Sequence, residues 1–203
     1  MNSDIAYFIG VLHSDGYIYT FHDKKSNKNY LRIVFNVSEK SLPMIQRVQT
    51  ILQTQFGKWT KIQKRRRQEI YYLQTSIKRS ATLFNSLGIK KGFLPKWIFS
   101  DNSLFGSYLA GLIDGDGNIC IKRPKHPQCR IKITDSIKQE KLKQKIEKIL
   151  GCYVGVYYDR AYNIEFYVSK KNIEFVKRFI YPAIQIPHKK NTLMKFLTSR
   201  EVI

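Results

Sequence analysis

Leu109-Ala110-Gly111-Leu112-Ile113-Asp114-Gly115-Asp116-Gly117 is matched, 101 residues earlier, by Phe8-Ile9-Gly10-Val11-Leu12-His13-Ser14-Asp15-Gly16. The interval is close to half of the 203 residues. The chain therefore reads as two similar halves, each offering one carboxylate at the end of an apolar helix. Gly10 and Ser14, like Gly111 and Gly115, are four residues apart, which puts two small residues on one helix face. Such faces let helix backbones approach closely. Helices packed on them would bring Asp15 and Asp116 together at a pseudo-twofold axis. Neighbouring carboxylates repel unless a cation stands between them, and hard Mg²⁺ favours oxygen ligands shared with phosphate. A lone Asp-Gly is explained by a helix-to-strand turn. Its repetition at the end of two glycine-faced helices points to metal-dependent cutting of a duplex.

Charge supports that direction. Lys and Arg number 36 against 15 Asp and Glu, a net charge of +21. Such an excess repels itself and implies a polyanionic partner. Nucleic acid fits better than a membrane surface, because the basic residues recur through both halves rather than forming one amphipathic helix. Lys61, Lys64, Arg65, Arg66 and Arg67 lie in the first half; Arg123, Lys125, Arg130 and Lys132 lie in the second. With 43% hydrophobic residues the chain folds rather than forming a disordered basic tail. Cys120, Cys129 and Cys152 make no CxxC pair, which argues against a disulfide framework or a zinc site. No charged-then-apolar leader opens the chain and no apolar run approaches membrane length, so a soluble protein of a reducing compartment is expected.

The halves can be laid over each other element by element. Helices are expected at about 4–14 and 105–115. Each is followed by strands at about 17–22 and 30–37, or 118–123 and 128–134. Alternation puts Leu31, Ile33, Phe35 and Val37 inward and Arg32 and Asn36 outward. Helical spacing of Leu42, Ile45, Val48 and Leu52, and of Leu142, Ile146, Ile149 and Leu150, predicts a second helix in each half. Strands are expected at about 57–63 with 70–75, and 153–158 with 164–169. Third helices are expected at about 80–87 and 172–180. The fold class is α+β: two pseudo-symmetric αββαββα halves, joined at the motif helices. Each half is a four-stranded antiparallel sheet with helices on one face. The expected division is 1–89, a linker over 90–103 with an N-cap in its polar end, and 104–203. Helices on one face leave the other for solvent or a partner, and strands can enter a DNA major groove.

Residues 109–117 resemble, with Gly115 for Ala as the one difference, the nine letters that name the LAGLIDADG homing endonucleases. The first copy keeps Gly10, Asp15 and Gly16, with apolar Leu12 in the place of Ile113. The resemblance covers almost the whole chain and is to the single-chain, two-motif branch. It implies a site-specific endonuclease that cuts both strands of a long, asymmetric double-stranded DNA target across the minor groove and leaves 3′ overhangs. Asp15 and Asp116 are then the metal-binding carboxylates, helped by the main-chain carbonyls of Ser14 and Gly115. The implied cofactor is Mg²⁺, with Mn²⁺ as a substitute and Ca²⁺ supporting binding without cutting. Lys91 and Lys190 are expected to activate water or stabilise charge, with Lys90 and Lys189 beside them as alternatives. Glu39 and Asp135 are expected either to orient water or simply to favour a helix N-terminus. His13 stands where the second copy has Asp114, a position expected to serve packing and to unbalance the two half-sites.

Outward strand positions supply the candidate DNA contacts. In the first half these are Tyr19, Arg32, Asn36, Lys61, Gln63, Tyr72 and Gln74. In the second they are Lys122, Arg130, Lys132, Thr134, Tyr157, Asn163 and Tyr167. The expected state is a monomer that imitates a dimer, with no membrane contact. Two other readings use the same scaffold: an intron RNA maturase, with intron RNA as partner, and a non-cutting DNA-binding protein. The location is expected to be a chloroplast or mitochondrion if the gene is organellar, and otherwise the cytoplasm.

Overall fold

The computed structural model describes residues 2–65, 68–78, 94–123, 125–135 and 140–200. Helix α1 spans Ser3–Ser14, and the Asn2 side chain starts it by accepting from the Ile5 N–H. Strand β1 (Gly16–Asp23) follows after a single residue, Asp15. Strand β2 (Lys28–Ser38), a short 3₁₀ turn (Glu39–Ser41), α2 (Leu42–Phe56), β3 (Ile62–Lys64) and β4 (Ile70–Lys78) complete the described part of the first half. The expected helix at 80–87 lies outside the described residues.

The second half repeats the plan. Helix α3 (Asn102–Asp116) is capped by Asp101, whose carboxylate accepts from the N–H groups of Ser103 and Leu104. Strands β5 (Gly117–Lys122) and β6 (Gln128–Asp135), helix α4 (Glu140–Leu150), and strands β7 (Gly155–Asp159) and β8 (Ala161–Val168) follow. A one-turn helix α5 (Ile173–Phe175) widens into π turns over Val176–Ile180 and tightens at Tyr181–Ala183. Helix α6 (Pro187–Ser199) closes the half.

Each half carries a four-stranded antiparallel sheet, in the orders β1-β2-β4-β3 and β5-β6-β8-β7. The inward set is as alternation predicts: Ile33, Phe35, Val37 and Leu73 are buried in one sheet, and Ile131, Ile133, Ile164 and Phe166 in the other. The two motif helices form the spine between them. Residues 5–13 of α1 and 105–114 of α3 are buried throughout.

Four expectations need correction. Helix α6 was not foreseen; Pro187 pre-sets its first turn, and Leu193, Phe196 and Leu197 bury its inner face. The connector is not merely a linker, because Lys96–Phe99 forms a 3₁₀ turn that buries Ile98. The strand expected at 57–63 shrinks to Ile62–Lys64. Gly57 ends α2 in a left-handed conformation (φ 60°), and Thr60 is tied aside, donating to the Gln74 carbonyl and accepting from Gln49. Strands β7 and β8 are shifted from the expected 153–158 and 164–169, because the turn between them falls at Arg160, itself left-handed (φ 59°).

Candidate active site

The two motif helices touch backbone to backbone. A methyl group added at Gly10 would strike the Tyr108 carbonyl oxygen and come within 3.0 Å of the Gly111 Cα. One added at Gly111 would strike the Tyr7 carbonyl oxygen and come within 3.0 Å of the Gly10 Cα. At one end of the pair the Ser3 and Ser103 hydroxyls meet at 2.7 Å. At the other, Gly115 packs against the Ser14 side chain. The helices therefore run parallel, and their C-terminal ends emerge together.

Those ends carry the two acids. Asp15 follows the last residue of α1, and Asp116 is the last residue of α3. A Cβ placed on Gly115 would lie 3.4 Å from an Asp15 carboxylate oxygen. Burial, and then the neighbouring Asp116 charge, push the Asp15 carboxyl from 3.8 up to about 6, while Lys189 pulls the other way. Gly16 and Gly117 let each chain turn into its strand at once. A side chain at either would collide with the last helical turn, at Leu12 or Ile113.

Lys189 supplies the buried cation. Its ammonium donates to the carbonyls of Ile113 at 2.7 Å, Asp114 at 2.8 Å and Gly115 at 3.3 Å. A cation there complements the negative end of α3. Burial lowers the Lys189 pKa, and the charges of Asp114, Asp15 and Asp116 oppose that. Lys190, the expected choice, points elsewhere: its ammonium lies 5.4 Å from the centre of the Tyr181 ring. One residue along a helix is a rotation of about 100°, and only Lys189 shares the inward stripe of Leu193 and Phe196. Lys90 and Lys91 lie outside the described residues.

The position two residues before each acid is filled differently in the two repeats. The Tyr7 hydroxyl donates to Asp114 at 2.8 Å, and the Tyr108 hydroxyl meets His13 Nδ1 at 3.1 Å. Tyr7 and Tyr108 correspond in the repeat, as do His13 and Asp114, so each tyrosine reaches across to the opposite helix. Burial holds the Tyr7 pKa well above its ordinary value, and it raises that of Asp114 against the hydrogen bonds it accepts. The two tyrosines have no sequence signature beyond their place in the repeat.

Among the described residues no group of three or more His, Cys, Asp or Glu side chains is placed to hold a metal. The donor set here is instead two carboxylates with main-chain oxygens nearby. That set suits a hard divalent cation whose remaining ligands are water and phosphate. The Asp15 carboxyl is raised first by burial and then by the adjacent Asp116 charge, and a bound cation would relieve both. Of the two expected main-chain ligands, the Gly115 carbonyl already accepts the longest of the Lys189 bonds, and the Ser14 hydroxyl turns back to the Gly10 and Val11 carbonyls. Glu39 is exposed and lines a cleft with Lys40, Pro43, Pro187 and His188. Asp135 ends β6 opposite Tyr162, with its side chain outside the described set.

Strand register fixes the outer faces. Tyr19 pairs with Arg32, Arg32 with Ser76, Asn36 with Tyr72, and Tyr72 with Gln63. Arg32 lies 4.1 Å from the centre of the Phe21 ring, Arg65 donates to Asn36 at 3.1 Å, and the Tyr72 hydroxyl donates to Gln63. Arg65, noted in the sequence only as part of a charge run, therefore belongs to this face. Lys61 and Gln74 line a recess with Trp59, an exposed indole on the same face that sequence reasoning missed. In the second half Arg130, Lys132, Thr134, Tyr157 and Tyr167 face outward, with Lys122 exposed at the end of β5. Arg130 is partly committed, through an ion pair with Glu165 at 3.1 Å. Asn163 is a correction. It is on the outer face by register but only 2% exposed, accepting from Thr134 and donating to the Ala161 carbonyl.

Both halves match known families. Residues 109–199 match the LAGLIDADG endonuclease family, and residues 2–87 match the LAGLIDADG-like domain. A stretch of 55 residues is 42% identical to the intron-encoded RNA maturase bI4 of Saccharomyces cerevisiae, covering 27% of this chain and 8% of that protein. The fold is similar to that of I-DmoI in complex with DNA and Ca, with a TM-score of 0.63, 19% identity, and coverage of 95% of this chain and 97% of that one. It is also similar to full-length DUF199/WhiA from Thermatoga maritima, with a TM-score of 0.55, 19% identity, and coverage of 99% and 61%.

Proposed function

Because this chain belongs to the LAGLIDADG homing endonuclease family, as a single polypeptide carrying one motif in each half, we propose that it makes a site-specific, Mg²⁺-dependent double-strand break in DNA. The observation that carries this reading is the parallel, glycine-faced helix pair that sets Asp15 beside Asp116, with the Lys189 ammonium adjoining. The target is a long, asymmetric duplex, since the two outer faces carry different side chains. The outer strands hold the duplex, Arg and Lys chiefly at phosphates and Tyr, Gln and Asn at base edges. The acids, with the Ser14 and Gly115 carbonyls, would hold the divalent ions beneath the minor groove, and the cut leaves 3′ overhangs. When bound, Mg²⁺ supplies charge neutralisation at the scissile phosphate and acidifies water for in-line attack. Lys189 holds positive charge against the carboxylates and the phosphate. All three of its N–H donors rest on carbonyls, so any proton it moves must first leave one of them, and the 3.3 Å bond to Gly115 is the weakest. Mn²⁺ substitutes for Mg²⁺, and Ca²⁺ supports binding alone.

A second reading rests on the stretch shared with the bI4 maturase: the basic surface also binds intron RNA. Competition between the target duplex and a structured intron RNA separates the two. The primary test is cleavage of a randomised duplex library with Mg²⁺, and with Ca²⁺ as the binding-only control. A single enriched duplex cut on both strands with Mg²⁺ supports the reading. Binding without cutting under Mg²⁺ or Mn²⁺ overturns it in favour of a non-cutting DNA-binding protein.

A further inference from the structure

Asp114 does more than pack. It is fully buried, and its two carboxylate oxygens receive three donors: the Tyr7 hydroxyl at 2.8 Å, the Gln185 N–H at 2.7 Å and the Ile186 N–H at 3.3 Å. Ile186 is the residue from which α6 starts, and Lys189 lies in the first turn of that helix. The Lys189 ammonium then returns to the main-chain carbonyl of Asp114 itself. The contacts close a ring: the Asp114 side chain grips the start of α6, and α6 grips the end of the helix that carries Asp116. We propose that Asp114 is the positioning residue for Lys189, a part that His13, its counterpart in the first repeat, cannot play in the same way.

The asymmetry follows from donor and acceptor inventory. A carboxylate accepts at both oxygens and carries the negative charge that complements a buried ammonium. A neutral imidazole has one acceptor and one donor, and His13 already uses Nδ1 at the Tyr108 hydroxyl. It cannot receive three donors. The half-site served by Lys189 has its cation fixed in advance, and pre-organised charge is what a phosphoryl transition state rewards.

This inference rests on the endonuclease reading, and the test separates the two. Asp114→Asn and Asp114→His are made in the full chain. The second copies a residue that the first repeat tolerates opposite a tyrosine. Without DNA, hydrogen exchange at the Gln185 and Ile186 amides is expected to accelerate roughly tenfold or more, while amides at the Gly10–Gly111 crossing keep their protection. With the duplex found in the library and each strand labelled separately, Lys189→Met identifies the strand nearest that ammonium. Asp114→Asn should slow the same strand roughly tenfold more than the other, and add nothing further in the Lys189→Met background. Equal slowing of both strands, additive losses in the double variant, or unchanged exchange at 185–186 would each overturn the positioning role. A wild-type protein that cuts no duplex refutes the endonuclease reading instead, and the exchange result still decides whether Asp114 holds the turn.

Discussion

Asp15 is charged in a place that resists charge. Its carboxyl sits at about 6 in the fold against an ordinary 3.8, first through burial and then through Asp116. The folded state therefore holds more protons than the unfolded chain between those values, so stability falls as pH rises from about 4 to about 6 and stays low above. In chelator, Asp15→Asn should remove that penalty. At pH 7 the variant is expected to be more stable by on the order of 2–3 kcal/mol, with no gain at pH 4, as read by urea denaturation at the two pH values. An equal gain at both would show that the carboxyl is not perturbed. The sequence exposed this residue because its Asp-Gly recurs in register with a second one. It did not expose Lys189 over Lys190. Comparing the two halves aligns segments, whereas the choice between adjacent lysines depends on helical phase, and that phase becomes readable only once α6 is recognised. Asn163 shows the same limit in a strand: alternation gives the face of a residue, not whether Thr134 covers it.

At the scale of elements, the α1–α3 contact is held by shape as much as by burial. A Gly111→Ala methyl would meet the Tyr7 carbonyl, which belongs to a backbone that cannot step aside without moving a whole helix. Alanine gains about 1 kcal/mol of helix propensity over glycine, but overpacking a close contact typically loses about 1–3 kcal/mol. The contact here is backbone on backbone, so the upper end applies, and a net loss of roughly 2 kcal/mol is expected in thermal or urea unfolding. Cleavage should fall further than stability does, because separating the helices also separates the acids. A stabilised Gly111→Ala variant would contradict the packing. These helices were legible because the pattern occurs twice. The terminal helix was not. Pro187 and the spacing of Leu193, Phe196 and Leu197 signal it, but the stretch around Lys90 and Lys91 that is laid against it in the first half reads as a linker. The shortened β3 was hidden because the turn after Gly57 carries Trp59 and Thr60, residues that also suit strands.

The whole molecule carries a net charge of +21, gathered in part on two outer sheet faces. Duplex affinity should fall linearly on a log–log plot against salt, with a slope of about −0.9 for each phosphate contacted. Lys122→Ala should reduce that slope by roughly 1 with little change in sequence preference, as a phosphate contact does. A salt-independent affinity would remove DNA from these faces. The fold at this scale was legible from the repeat together with the apolar spacing of each element, since two half-length units with a polar sheet face leave few other arrangements. The individual base contacts were not, because they depend on a partner that the chain does not encode. The central claim is that Asp15 and Asp116 act as one metal-holding pair beneath a bound duplex. It is tested most directly by strand-resolved cleavage and binding of the selected duplex by Asp116→Asn in Mg²⁺. The account predicts that double-strand cutting is lost while the dissociation constant stays within a fewfold of wild type. Cutting of both strands at the wild-type rate would contradict it.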